Sequence, residues 1–173
     1  MCRIRLPRAD NTMAPAEVSA ATLALREVHQ QLELTKVRCM VDTADDRVAG
    51  TVTVQLVLTN NSDREIEYRV ESIKVDIQNR VAEVAGVLRP TAWIGPGDLA
   101  IISCPSIRGV DRTGSSTGNV DYSILYSLPA AVDAPPAARC RRQHGIWFKV
   151  ENQSDGTMQA RFVERYDEDD IFT

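Results

Sequence analysis

Residues 51–62 read Thr51-Val52-Thr53-Val54-Gln55-Leu56-Val57-Leu58-Thr59-Asn60-Asn61-Ser62. Val52, Val54, Leu56 and Leu58 alternate with Thr51, Thr53 and Gln55, the period of two that puts successive side chains on opposite faces of a strand. The stretch is therefore a half-buried strand, and the Asn60-Asn61-Ser62-Asp63 cluster behind it is a turn. The same period runs outward in both directions. Upstream, Val37, Cys39 and Val41 alternate with Lys36, Arg38 and Met40, and the polar residues 42–47 make a turn between the two strands. Downstream, Ile66, Tyr68 and Val70 face one way and Glu65, Glu67, Arg69 and Glu71 the other. Ile73, Val75 and Ile77 continue with opposite parity, which predicts a bulge, a bend or a change of sheet near Glu71-Ser72; one flat strand would put charges inside.

Residues 81–88 could form a further strand, ended by Arg89-Pro90. Trp93-Ile94 precedes a Gly95-Pro96-Gly97-Asp98 turn, and the apolar run 99–104 is expected to be buried. Residues 105–119 read as a long Gly/Ser-rich loop before a strand of Val120, Tyr122, Ile124, Tyr126 and Leu128. A second long connection, 129–143, carries Pro135-Pro136 and the basic group Arg139, Arg141 and Arg142. The last hairpin has Ile146, Phe148 and Val150 on one arm and Met158, Ala160 and Phe162 on the other, with 152–156 as its turn. About eight short strands with turn signals between them, and no repeated helix, predict a mainly β chain folded as an antiparallel sandwich. The expected organisation is a basic arm at 1–14, an amphipathic helix at 15–33, the sandwich at 35–165 and an acidic tail at 166–173.

The chain thereby resembles immunoglobulin-like β-sandwich modules. The run from Thr51 to Ser62 looks like their second strand and its turn, and Pro96-Gly97-Asp98 looks like a later strand entry; the resemblance covers roughly residues 35–165. The Cys and Trp spacing of antibody domains is absent, since neither Trp93 nor Trp147 lies between suitably placed strand cysteines. What the resemblance implies is a binding role rather than a catalytic one.

The helix is read from Pro15 at its first position, Glu17 near its N-terminus, and a stripe of Val18, Ala21, Leu25, Val28 and Leu32 at intervals of three and four. That stripe must be covered, because a lone helix of this length is marginal in water. The outer faces of the predicted strands are rich in Glu, Lys, Arg and Thr and make poor receptors for it, so the stripe is expected to serve as an oligomerisation or docking element.

Leu, Ile, Val and Phe make up 43 of the 173 residues, about a quarter, which is enough to fold. A net charge of −4 gives no global basic field, so nucleic acid is not an expected partner. No secretory signal and no apolar run long enough to span a membrane are read, which points to the cytoplasm. Cys2, Cys39, Cys104 and Cys140 include no CxxC pair, arguing against a metal knuckle; in a reducing compartment they are free, mostly buried thiols.

No catalytic set converges. Gly114-Ser115-Ser116-Thr117-Gly118 matches the hydrolase G-x-S-x-G, but no helix follows to orient an oxyanion hole at Ser116. His144 reads as an exposed loop residue beside Arg141 and Arg142, and His29 belongs to the helix. The acidic tail lacks the pattern of a calcium loop, and no Walker or dinucleotide fingerprint occurs, so no metal and no cofactor is expected. Trp93, Trp147 and Tyr68 could form an aromatic platform for sugar.

The leading expectation is a non-enzymatic interaction or assembly module that binds a protein partner, or its own subunits, through loops, edge strands and the N-terminal helix. Arg108, Asp111, Arg112, Arg139, Arg141 and Arg142 are the candidate partner-binding residues. The alternatives are a carbohydrate- or small-ligand-binding sandwich and, third, a hydrolase using Ser116.

Overall fold

The computed structural model of the chain describes residues 19–42, 49–86, 91–111, 113–129, 138–154 and 157–173. These residues form one helix, α1 (Ala20–Gln31), and ten strands: β1 (Leu32–Asp42), β2 (Ala49–Asn60), β3 (Ile66–Ile77), β4 (Arg80–Ala85), β5 (Ala92–Ile94), β6 (Leu99–Ser103), β7 (Ile107–Asp111), β8 (Ser116–Ser127), β9 (Arg139–Asn152) and β10 (Met158–Phe172). The strands build two antiparallel sheets that enclose one core, a β-sandwich. The smaller sheet is ordered β1-β2-β6, with β7 sharing the β2 edge that β6 uses; the larger is β10-β9-β8-β3-β4, with β5 sharing the β3 edge that β4 uses.

The decisive stretch is β2, whose Val52, Val54, Leu56 and Leu58 are all buried in the core. Its last residue, Asn60, is fully buried and ties three segments together. Its amide donates to the carbonyls of Arg64 (2.7 Å), Ile94 (3.1 Å) and Gly95 (3.1 Å), and its Oδ1 accepts from the Ser62 N–H and hydroxyl. The parity change in β3 is a bulge at the expected place: Val70 pairs with Ile124 and Ser72 with Ser123, leaving Glu71 as the extra residue. Ile66 and Val70 before it, and Ile73, Val75 and Ile77 after it, all reach the core. Gln78 and Asn79, at φ 56° and 60°, make the tight β3–β4 turn of the mirror-image kind that suits the twist of a hairpin.

Four expectations change. The helix begins later, because Ser19 is extended and its hydroxyl accepts from the Thr22 N–H at 3.1 Å, capping α1 at Ala20; it ends where Leu32 turns extended and starts β1. The supposed loop 105–119 contains β7 and the start of β8, its glycines being absorbed at Gly109 (φ 72°) and Gly118. Residues 139–143 are the first part of β9, so Arg139, Arg141 and Arg142 lie on a strand. The acidic tail is the outer part of β10, hydrogen-bonded to β9 as far as Phe172 opposite Cys140, with Thr173 and Arg139 exchanging backbone bonds at 2.8 Å. The arm at 1–14 lies outside the described residues.

Candidate functional site

Alternation along β9 turns Cys140, Arg142 and His144 inward, on the face that carries Ile146, Phe148 and Val150 into the core. Neighbouring strands extend these rows: Tyr126, Cys140 and Phe172 stand side by side, as do Ile124, Arg142 and Asp170. Helix α1 packs against β1 and β9 and sets His29 on top of the rows. The result is a polar cluster inside a mostly apolar core.

Arg142 is buried and donates through Nη1 to the Leu32 carbonyl at 2.8 Å, while its Nε lies 3.3 Å from Asp170 Oδ1. Its Nη2 is 3.1 Å from both ring nitrogens of His29. His29 Nε2 and His144 Nε2 reach the two oxygens of Asp170 at 3.1 and 3.2 Å. In a neutral His29 protonated on Nε2, the Nε2–H donates to Asp170 and the single lone pair of Nδ1 is shared by the Arg142 guanidinium and the Tyr126 hydroxyl. Burial, then the nearby guanidinium, lower the His29 pKa against the opposing pull of Asp170. Burial also raises the Cys140 thiol and the Tyr126 phenol. Both groups stay protonated and unreactive at neutral pH.

Ligand atoms of His29, Cys140 and Asp170 lie within 4.8 Å of one another, and their types are those of a zinc site. The guanidinium already holds the place a cation would take, permanently charged and anchored on the Leu32 carbonyl. The cluster therefore fastens the helix to the sheet by ion pairs and does not fit a metal.

The helix stripe is corrected accordingly. Leu25, Val28 and Leu32 are buried in the chain's own core and so are not an exposed docking stripe; Ala21 is exposed and Val18 lies outside the described residues. The helix does not lie on an outer face, so the polarity of those faces is no obstacle to its docking. His144, expected in a loop, is buried. Ser116 opens β8 opposite Val150, whereas His144 stands opposite Tyr122, six residues along the strand or roughly 20 Å away. Neither imidazole of the chain stands close enough to Ser116 to serve it as a base.

The candidate partner residues do not form one surface. Arg108 and Asp111 are exposed on β7, where the Asp111 carboxylate accepts from the Thr113 N–H and hydroxyl. Arg139 and Arg141 sit on the outer face of the larger sheet, Arg142 is inside, and Arg112 lies outside the described residues. Arg141 pairs with the bulged Glu71 at 2.7 Å, and Arg69 Nη2 lies 3.3 Å from the same carboxylate. Burial raises the Glu71 pKa, but the bond and charge of Arg141 outweigh it and hold the group low. Trp93 faces Glu67 near one end of the outer face, and Trp147 faces Asn119 near the other, so the supposed three-ring platform is not assembled.

Missed by the sequence reading is the side of the sandwich where β4, β5, β6 and β7 form the sheet edges. Its lower end is pinned by the Gln78 side chain, which exchanges two hydrogen bonds with the Asp111 backbone at 2.8 and 3.1 Å. Between β4 and β6 a cleft of about 330 Å³ opens toward the core, lined by Val70, Ile73, Val84, Ile102 and Cys104. On the same edge strands Val81, Trp93, Leu99 and Ile101 are exposed on the outward faces of the two sheets, Leu99 at 56%. The run 99–104 is thus only half buried, Ile102 and Cys104 facing in. Its alternation was masked because two of the three outward positions, Leu99 and Ile101, are apolar and only Ser103 is polar. Among the described residues no helix is long and apolar enough to cross a membrane. Comparison of the sequence with protein-family models and with curated proteins gives no match.

Proposed function

We propose that the chain is an immunoglobulin-like interaction module that takes up an extended segment of a protein partner at its open side. Strand order supports the immunoglobulin-like reading: β1-β2-β6 and β9-β8-β3-β4 match the orders A-B-E and G-F-C-C′ of such modules, with β10 added outside. The observation that carries the binding reading is the pair of sheet edges, β4 and β6, that flank the apolar cleft without a further strand among the described residues. An unpaired edge offers a row of N–H and C=O groups, and the cleft offers space for alternate apolar side chains, which together are the means of strand addition. The exposed apolar side chains on these same strands fit such a partner better than a polyanion.

Peptides selected on the intact protein from a random displayed library test the reading. They should alternate apolar and polar residues, slow amide exchange in β4 or β6, and bind about tenfold more weakly to Val84→Asp, a partly exposed position on the cleft wall whose fold is checked by a thermal melt. Peptides that lack the alternation or protect other strands would overturn it.

A further inference from the structure

On the outer face of the larger sheet a second concavity of about 570 Å³ is lined by Trp147 and by polar side chains, among them Asp76, Asn119, Thr117, Lys149 and Asn79. Asp76, Asn119 and Trp147 stand in one row across β3, β8 and β9, with Thr117 and Lys149 in the row two residues along. With strands about 4.8 Å apart and side chains recurring about every 7 Å along each, this grid is roughly 10 by 7 Å, the footprint of one sugar ring with its substituents.

The aromatic member is held in position. Tyr166 lies against Trp147 with ring centroids 5.3 Å apart, and it can do so only because residue 145 is glycine: a Cβ there would stand 2.3 Å from the tyrosine ring. Its hydroxyl donates to Asp121 at 2.5 Å and accepts from the Asn119 amide at 2.9 Å. Trp147 itself remains 40% exposed. Around it, the side chains of Asp76, Asn79, Thr117 and Lys149 make no hydrogen bond or ion pair with another described residue.

We infer that this concavity is a binding site for a neutral saccharide. The C–H face of a pyranose stacks on an exposed indole, and its hydroxyls, each a donor and an acceptor, match a ring of carboxylate, amide, hydroxyl and ammonium groups. A phosphate or sulfate ligand fits worse, because the single cation Lys149 is opposed by Asp76. An apolar ligand fits worse still, with one apolar residue in the wall.

The test is titration of the intact protein with cellotetraose, mannotetraose and chitotetraose, followed by tryptophan fluorescence in a Trp93→Phe background so that Trp147 alone reports. At least one of the three should shift the emission, and calorimetry should show that Trp147→Ala and Asp76→Ala each lose tenfold or more in affinity while Trp93→Phe loses none. Thermal melts of each variant confirm that the sheet is intact, and the outward, exposed position of Trp147 makes that the expected result. Failure of all three at about 10 mM, well above the roughly millimolar dissociation constant of a weak site, would overturn the inference, as would equal binding by Trp147→Ala or a preference for inorganic phosphate.

Discussion

Arg142 and Leu32 are joined by a 2.8 Å hydrogen bond from a buried guanidinium to the carbonyl at the end of α1, so a charge inside the core fastens the helix to the sheet. A buried ion pair is costly to form and costlier to break on one side. Arg142→Met should destabilise the fold by about 3 kcal/mol, the lower end of the range for such losses, since Asp170 keeps some contact with solvent. The double change Arg142→Met with Asp170→Asn should recover part of that loss. Urea midpoints of the three proteins measure both effects.

The cluster also sets a pH dependence. His29 has its pKa lowered in the folded chain, so in the window below the ordinary value of about 6.5 the unfolded chain takes up the proton more readily. Its contribution to stability is complete above that value and is lost as the pH falls from there through the folded pKa. The groups facing it are Arg142, His144 and Cys140 from β9, Asp170 from β10 and Tyr126 from β8, with Arg26 nearby on α1 over Phe172. The urea midpoint of the native chain should fall between pH 7.5 and pH 5.5, and His29→Gln should flatten that slope. An unaltered slope would place the titrating group elsewhere.

Cys104 and Cys140 are buried free thiols, and burial raises the Cys140 pKa further. Neither should react with a disulfide reagent in the folded protein. Both should react once the chain is unfolded, without prior reduction. Mass spectrometry after labelling distinguishes the two states site by site.

At Gly145 the seat of Tyr166 leaves no room for a methyl group. Gly145→Ala should cost about 1–3 kcal/mol by overpacking, and adding Tyr166→Ala should relieve most of the strain. Equal destabilisation by the single and double variants would mean that the ring moves aside without cost.

The period of two in β2 and β3 is carried by apolar residues with polar neighbours, which is why those strands and the bulge at Glu71 were legible. The candidate sites were less so. Arg142 and His144 keep the inward parity of Ile146 and Phe148, but charge and a preceding Pro-rich stretch made them read as loop residues, and only Asp170 and the Leu32 carbonyl make their burial tenable. Asp170 itself was hidden in an acidic run whose pairing is signalled only by Ile171 and Phe172 beyond it. The concavity at Trp147 depends on which strands neighbour one another, a relationship between β3, β8 and β9 that no local pattern contains.

The bonds that seat α1 and β1 join residues far apart in sequence: Arg142 reaches Leu32 across 110 positions, and Arg165 reaches the Leu34 carbonyl across 131. Closing such separations costs entropy before any contact repays it, so folding belongs to the slow, milliseconds-to-seconds regime of non-local β topologies. The long hairpin of β9 and β10 and its neighbour β8 pair at shorter range and are expected to form ahead of the helix contacts. Substitutions in α1 will then act mainly on the rate at which the native chain opens and hardly on the rate at which it forms, so the helix governs the lifetime of the native state.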